Sequence, residues 1–258
     1  MLDRKQASKP LVSVVMAAYN AQSYIQDAII SVQNQTVSDW EMLVIDDCST
    51  DNTRELVSRI AQTDGRIRLI CNEANQGTAV SRNRGFDLCR GEYVALLDSD
   101  DCWRPEKLEK QLALAKADAA DLVYSSYAIV DDQGKMCCDD YIVPTRTDVN
   151  RMLRENVIGC STVLISRTVI DQFRFSREYY HEDYVLWLNI LRAGYRSAGV
   201  AEVLVDYRLH HNSRASNKNA SARQRWHIYR SLMKLSVGKS MAYLTSYMIS
   251  GVRKYRRV

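Results

Sequence analysis

No run of about 18 apolar residues occurs in the 258 residues, so the sequence offers no membrane-spanning helix. The opening residues, Met1-Leu2-Asp3-Arg4-Lys5-Gln6, lack the apolar core of a signal peptide. Seven cysteines are present, but there is no Cys-x-x-Cys pair and no Cys/His spacing that suits zinc. Thiols scattered in this way read as small buried hydrophobes of a reducing compartment, and a cytoplasmic protein is expected. Internal repeats and low-complexity stretches are also missing, which excludes a solenoid. From Tyr207 onward there is not one Asp or Glu.

That last absence makes the charge lopsided. Of the 35 Lys and Arg, 12 fall in the acid-free stretch, and the residues before it carry 23 basic against 31 acidic, a net of −8. An acidic body with a basic tail points to an anionic partner, such as a membrane surface or a phosphorylated molecule. No nucleic-acid-binding module is recognisable, so nucleic acid is not expected. The hydrophobic fraction of 46% and charged fraction of 26% are those of a soluble globular chain able to bury one sizeable core.

What is present is an alternation of strand and helix patterns. Apolar runs at 11–17, 41–45, 68–71 and 93–97 read as buried strands, and helical patterns fill 21–34, 51–62 and 78–88 between them. A helix beginning at Pro105 and a strand over 121–130, closed by the turn Asp131-Asp132-Gln133-Gly134, continue the series. The pattern loosens after residue 135, with helices expected near 148–155 and 183–193 and strands at 161–166 and 200–207. This repetition predicts an α/β fold with a doubly wound, mostly parallel sheet.

Two aspartate pairs, Asp46-Asp47 and Asp100-Asp101, end two of the predicted strands, and Asp98 opens the second cluster. In open α/β sheets ligands sit outside the carboxyl ends of the strands. Carboxylates gathered there repel each other and call for a cation or hydrogen-bond donors. A hard divalent cation bridging to phosphate oxygens answers that need, whereas simple helix capping explains one Asp cluster more easily than two. Glu182-Asp183 places two further acids at the start of a strongly apolar helix pattern. The turn Asn75-Gln76-Gly77 opens another helix, whose first amides favour anions.

Five ordered segments together resemble glycosyltransferase family 2, the inverting nucleotide-sugar transferases of the GT-A fold. They are residues 13–20 (SVVMAAYN), 44–51 (VIDDCSTD), Asn75-Gln76-Gly77 with Arg82-Asn83-Arg84-Gly85, Leu97-Asp98-Ser99-Asp100-Asp101, and His181-Glu182-Asp183-Tyr184. The family usually has Pro-Thr where Ala17-Ala18 stand here. The resemblance implies a GT-A domain over 1–210, Rossmann-like with flanking helices, then a mobile loop and basic amphipathic helices over 211–258. It implies that Ala17, Tyr19, Asp47, Arg82, Asp98, Ser99, Asp100 and His210 meet a UDP-sugar, with Asp47 accepting the uracil imide N–H. Asp98 or Asp100 would face the ribose, and Asp100 or Asp101 would bind Mn2+ or Mg2+; the extra aspartate leaves that register open. Asp183 would be the general base.

By the same resemblance a hexose or N-acetylhexosamine would pass to a glycan hydroxyl, on a polyprenyl-diphosphate carrier of bacterial surface polysaccharide such as O-antigen. The rival expectation is an inactive module that only recognises a sugar nucleotide or glycan. Processive relatives carry Gln-x-x-Arg-Trp, and Gln224-Arg225-Trp226 lacks the intervening pair, so a single addition is expected. The last predicted helix sets Leu244, Tyr247, Met248, Val252 and Tyr255 on one face beside Arg253, Lys254, Arg256 and Arg257. Such a helix either lies peripherally on an anionic membrane or packs on the domain.

Overall fold

The computed structural model describes residues 9–209 and 218–254. Strand β1 (Val12–Ala18) is buried along nearly its whole length, as a continuous apolar run must be when helices cover both sheet faces. It lies between β2 (Trp40–Asp46) and β4 (Tyr93–Leu96), parallel to both, and β3 (Ile67–Cys71) pairs parallel with β2. Helices α1 (Ile25–Gln33), α2 (Thr53–Thr63) and α3 (Thr78–Leu88) connect them. The chain continues through β5 (Cys102–Trp103), α4 (Lys107–Ala117), β6 (Leu122–Val130) and α5 (Val149–Arg154). Then come β7 (Leu164–Ser166), α6 (Arg167–Ile170), α7 (Glu182–Arg192) and β8 (Ser197–Arg208).

The strands form one sheet in the order β3-β2-β1-β4-β7-β6-β8-β5. The expected mostly parallel sheet is therefore present, with two local departures. Strand β7 runs antiparallel to both neighbours, and the two-residue β5 runs antiparallel to β8. A strand expected from residue 161 begins only at Leu164, because Cys160–Thr162 forms a 3-10 turn. That turn frees the Ser161 carbonyl to accept the indole N–H of Trp103 at 2.8 Å. Trp103 is thus an anchor of the sheet edge, buried and stacked under the Lys107 ammonium.

Alternate residues of β1 feed the two sides of the core: Val15 joins Leu43, Leu96 and Trp187, while Val14 joins Met42, Ala95 and Leu108. Helix α3 comes unusually close to the sheet. A methyl group on Gly85 would stand 2.3 Å from Val15 Cγ1, so only glycine permits this contact. The close seat of α3 sets the depth of Arg82, one turn earlier.

The C-terminal region is less separate than the sequence led one to expect. Helix α8 (Lys218–His227) passes through a π-helical turn (Ile228–Leu232) to α9 (Val237–Lys254). Ile228 and Tyr229 are buried in the main core, and the Tyr229 hydroxyl donates to the Leu153 carbonyl at 2.6 Å. Part of the expected mobile loop, 218–222, is helical; residues 210–217, including His210, lie outside the described residues. The predicted stripe of α9 divides. Leu244 packs against the core and Tyr247 faces Arg225, whereas Met248 is exposed together with Val237, Met241 and Ile249. Among the described residues no helix is long and apolar enough to cross a membrane.

Candidate active site

The site is assembled at the carboxyl ends of β1, β2 and β4. Beyond β1 the chain turns through Asn20, whose φ of 49° is the left-handed region. Its amide donates to Ser49 Oγ at 3.0 Å, and its side-chain oxygen accepts from the Thr50 amide at 2.8 Å. This brace between two loops holds Tyr19 half-exposed at the rim. In the first aspartate pair the roles divide. Asp46 accepts the Ser49 amide and the Arg54 Nε, so it closes its own loop. Asp47 accepts from Asn72 Nδ2 (2.7 Å), the Gln76 amide (3.0 Å) and the Gly77 amide (2.7 Å). It therefore pins the turn that starts α3, and Gly77 meets that turn with a φ of 87°.

After β4, residues 98–101 form a tight turn, with the Asp101 amide donating to the Asp98 carbonyl. The turn sends successive carboxylates to different places. Asp98 and Asp100 face a cavity of about 640 Å3. Asp101 is buried in its wall, accepting the Ser161 hydroxyl on one oxygen (2.5 Å) and the Arg208 amide on the other (2.9 Å). Burial, then the charges of Asp100 and Asp98, push its pKa well above the usual carboxylate range. Asp101 thus also borders the cavity, with its carboxylate held on protein donors.

Arg82 lies 4% exposed beneath this turn. One guanidinium nitrogen donates to Asp98 at 2.5 Å and the other to Glu182 at 3.0 Å. Burial opposes its charge, but Asp98, then Glu182 and Asp183, hold the guanidinium protonated. Its neighbour Asn83 exchanges two 2.9 Å hydrogen bonds with the Phe175 backbone, tying α3 to the segment before α7. Both contacts carry the start of α7 toward the strand ends. Glu182 is buried against Arg82, while Asp183, half-buried, faces the cavity.

Of the residues singled out from sequence, Ala17, Tyr19, Arg82, Asp98, Ser99, Asp100, Asp101 and Asp183 meet in this one cavity. Asp47 stands behind the wall, and His210 falls outside the described residues. Ser161, Arg225 and Tyr247 also line the cavity and went unrecognised. The run of small residues 159–162 was the signal for Ser161; Arg225 stood out only in the comparison of Gln224-Arg225-Trp226 with the processive motif, and Tyr247 only as part of a helix stripe.

Among the described residues no three His, Cys, Asp or Glu side chains are grouped to hold a metal. The donor chemistry nonetheless fits a hard cation. Three carboxylates crowd residues 98–101, and Arg82 pairs with only one of them.

Comparison with known proteins gives the same direction. The model of the family described as "Glycosyl transferase family 2" matches residues 13–167. The chain is 36% identical over 246 residues to TuaG of Bacillus subtilis (strain 168), named for a glycosyltransferase role in teichuronic acid biosynthesis, covering 95% of this chain and 98% of that one. It is 35% identical over 247 residues to WfgD of Escherichia coli, covering 95% of each. WfgD is named a UDP-Glc:alpha-D-GlcNAc-diphosphoundecaprenol beta-1,3-glucosyltransferase. Among solved structures, S. aureus TarS in complex with UDP-GlcNAc superposes with a TM-score of 0.73 at 19% identity, over 92% of this chain and 71% of that one. The fold is thus shared with GT-A transferases.

Proposed function

The chain belongs to glycosyl transferase family 2 and is a glycosyltransferase, and on that premise we propose which reaction it performs. A hexose or N-acetylhexosamine passes from a UDP-sugar, with inversion, to a hydroxyl of a glycan carried on a polyprenyl diphosphate. The setting is bacterial surface-polysaccharide assembly. The observation that carries this reading is one cavity holding Asp98 and Asp100 on the strand side and Asp183 on the α7 side, bound together through Arg82 and Glu182. The names of WfgD and TuaG support the donor, the acceptor and the setting.

The roles follow from the chemistry. Asp183 removes the proton from the acceptor hydroxyl as it attacks the anomeric carbon. Tyr19 and Ala17 border the base, and Asp47 meets the imide N–H by exchanging it for one of its present donors, Asn72, Gln76, Gly77 or Ser81. Asp100, with Asp98 beside it, would hold Mn2+ or Mg2+. Bound there, the cation offsets charge building on the departing UDP. Arg82 keeps the two carboxylate groups at a fixed separation. No structural observation favours an inactive binding module.

Thermal unfolding with UDP-, GDP-, CMP- and dTDP-sugars, each with and without Mn2+, tests the donor site. Stabilisation confined to a UDP-sugar is the expected result, and equal stabilisation by GDP- or dTDP-sugars removes the uracil role of Asp47. Asp183→Asn should keep donor binding and lower kcat by roughly 100- to 10,000-fold. A variant that transfers at the parent rate would overturn the base assignment.

A further inference from the structure

Arg225, on α8, lines the same cavity in a manner the proposed reaction has not used. Its guanidinium lies 3.3 Å from the centre of the Tyr184 ring and 4.5 Å from that of Tyr247. The side chain is only 3% exposed, yet Nε and Nη1 have no hydrogen-bond partner among the described residues. Asp183 favours its charge from nearby without forming an ion pair with it among the described residues. Arg82, the other arginine of the cavity, contrasts with it, since Asp98 and Glu182 take its two terminal nitrogens.

A buried guanidinium with unmet N–H groups is costly, and stacking between two aromatic rings offsets only part of that cost. Two unmet charged donors of a planar guanidinium call for anionic oxygens such as those of a phosphate. The position says whose phosphate. Tyr184, on which Arg225 stacks, directly follows Asp183, the residue read as the base. In an inverting displacement the base and the leaving group occupy opposite faces of the sugar. A cation beside the base therefore stands on the acceptor side, away from the diphosphate of the departing nucleotide. Beyond it the surface stays basic. A groove between α5 and α9 shares Glu155 and Ser250 with the cavity and carries Arg151 and Arg154, both exposed and without a carboxylate partner among the described residues.

We propose that Arg225 receives a phosphate of the acceptor's lipid-linked diphosphate and so selects diphosphate-carried glycans over neutral ones. This inference rests on the reading of Asp183 as the base. It assigns α8 and α9 a part in acceptor recognition, with Tyr184 and Tyr247 holding the guanidinium in place.

The test is calorimetric titration of the full chain with farnesyl diphosphate, which presents the diphosphate and a lipid without committing to a sugar. With the donor site saturated by UDP, farnesyl diphosphate should bind and farnesol should not. Arg225→Gln should weaken that binding roughly 10- to 100-fold, the loss of a charge-assisted contact, and Arg225→Lys should weaken it less. UDP affinity should be unchanged in both variants. The comparison of the two lipids with and without UDP needs no variant, so it stands even if Arg225→Gln misfolds. Displacement of farnesyl diphosphate by UDP, undiminished binding to Arg225→Gln, or a loss that falls on UDP alone would overturn the proposal. Failure of the parent chain to bind UDP at all would instead refute the donor reading beneath it.

Discussion

Arg82 meets Glu182, one hundred residues away in sequence, across 3.0 Å, with both side chains almost wholly buried. This contact joins the half of the site built by the strand ends to the half built by α7. It explains why a chain with two separate clusters of acids folds them into one cavity rather than apart.

Removing the arginine should therefore strain both halves. Arg82→Met leaves Asp98 and Glu182 without their shared counter-charge, and breaking a buried pair from one side costs about 3–5 kcal/mol. Urea unfolding should show that loss, and the double variant Arg82→Met/Glu182→Gln should recover part of it. Strict additivity of the two single changes would mean that the pair does not act as a unit.

Asp100 faces the cavity beside Asp98, and the proposed reaction gives it the cation. Chelation should abolish transfer, and Mn2+ should restore it. Saturating UDP with Mn2+, at 100 times the dissociation constant, should stabilise the parent chain by about 2.7 kcal/mol. Asp100→Asn should lose most of the Mn2+-dependent part of the Tm shift. Asp101→Asn should instead lower stability without metal, because its partners Ser161 and Arg208 are within the protein.

Asp47 predicts a pH dependence. Burial works against its charge, but the donors from Gln76, Asn72 and Gly77 outweigh this and hold its pKa below the ordinary value. A lowered folded-state pKa gives stability that is present above the unfolded value of about 3.9 and lost as the pH falls through the folded one. Asp47→Ala should thus cost about 1–3 kcal/mol near neutral pH. Its deficit against the parent should shrink below about pH 4, as measured by urea unfolding across pH. A deficit that stays constant to pH 2 would mean the carboxylate charge contributes nothing.

Helix α9 packs through Tyr243 and Leu244 while Val237, Met241, Met248 and Ile249 remain exposed. With the basic residues that follow, this face should bind anionic vesicles, each charge near the surface adding about 1 kcal/mol. Co-sedimentation should fall with added salt and on Met241→Asp/Met248→Asp. Equal binding to neutral vesicles, or none to anionic ones, would leave packing as the role of α9.

Helix α3 was legible almost to the residue, because Gly77 marks its start and the periodic pattern stops before Cys89. The acids at the strand ends and at the start of α7 were legible as well, since strand ends and helix starts are local properties of the chain. The inward turn of Asp101 was not, because it depends on Ser161 and Arg208, sixty and more than a hundred residues away. Arg225 was hidden for the same reason. On a polar helix it resembles any surface arginine, and its burial appears only when Tyr184 and Tyr247 close around it.

The sequence by itself determined the alternation of elements, the chemistry gathered at the strand ends and the family, because each is carried by local pattern and motif order. Tertiary structure alone decided which carboxylates face the cavity, which brace its wall, and that the C-terminal helices complete it. Those outcomes are set by which donors distant segments bring within hydrogen-bond reach, and no local pattern records that.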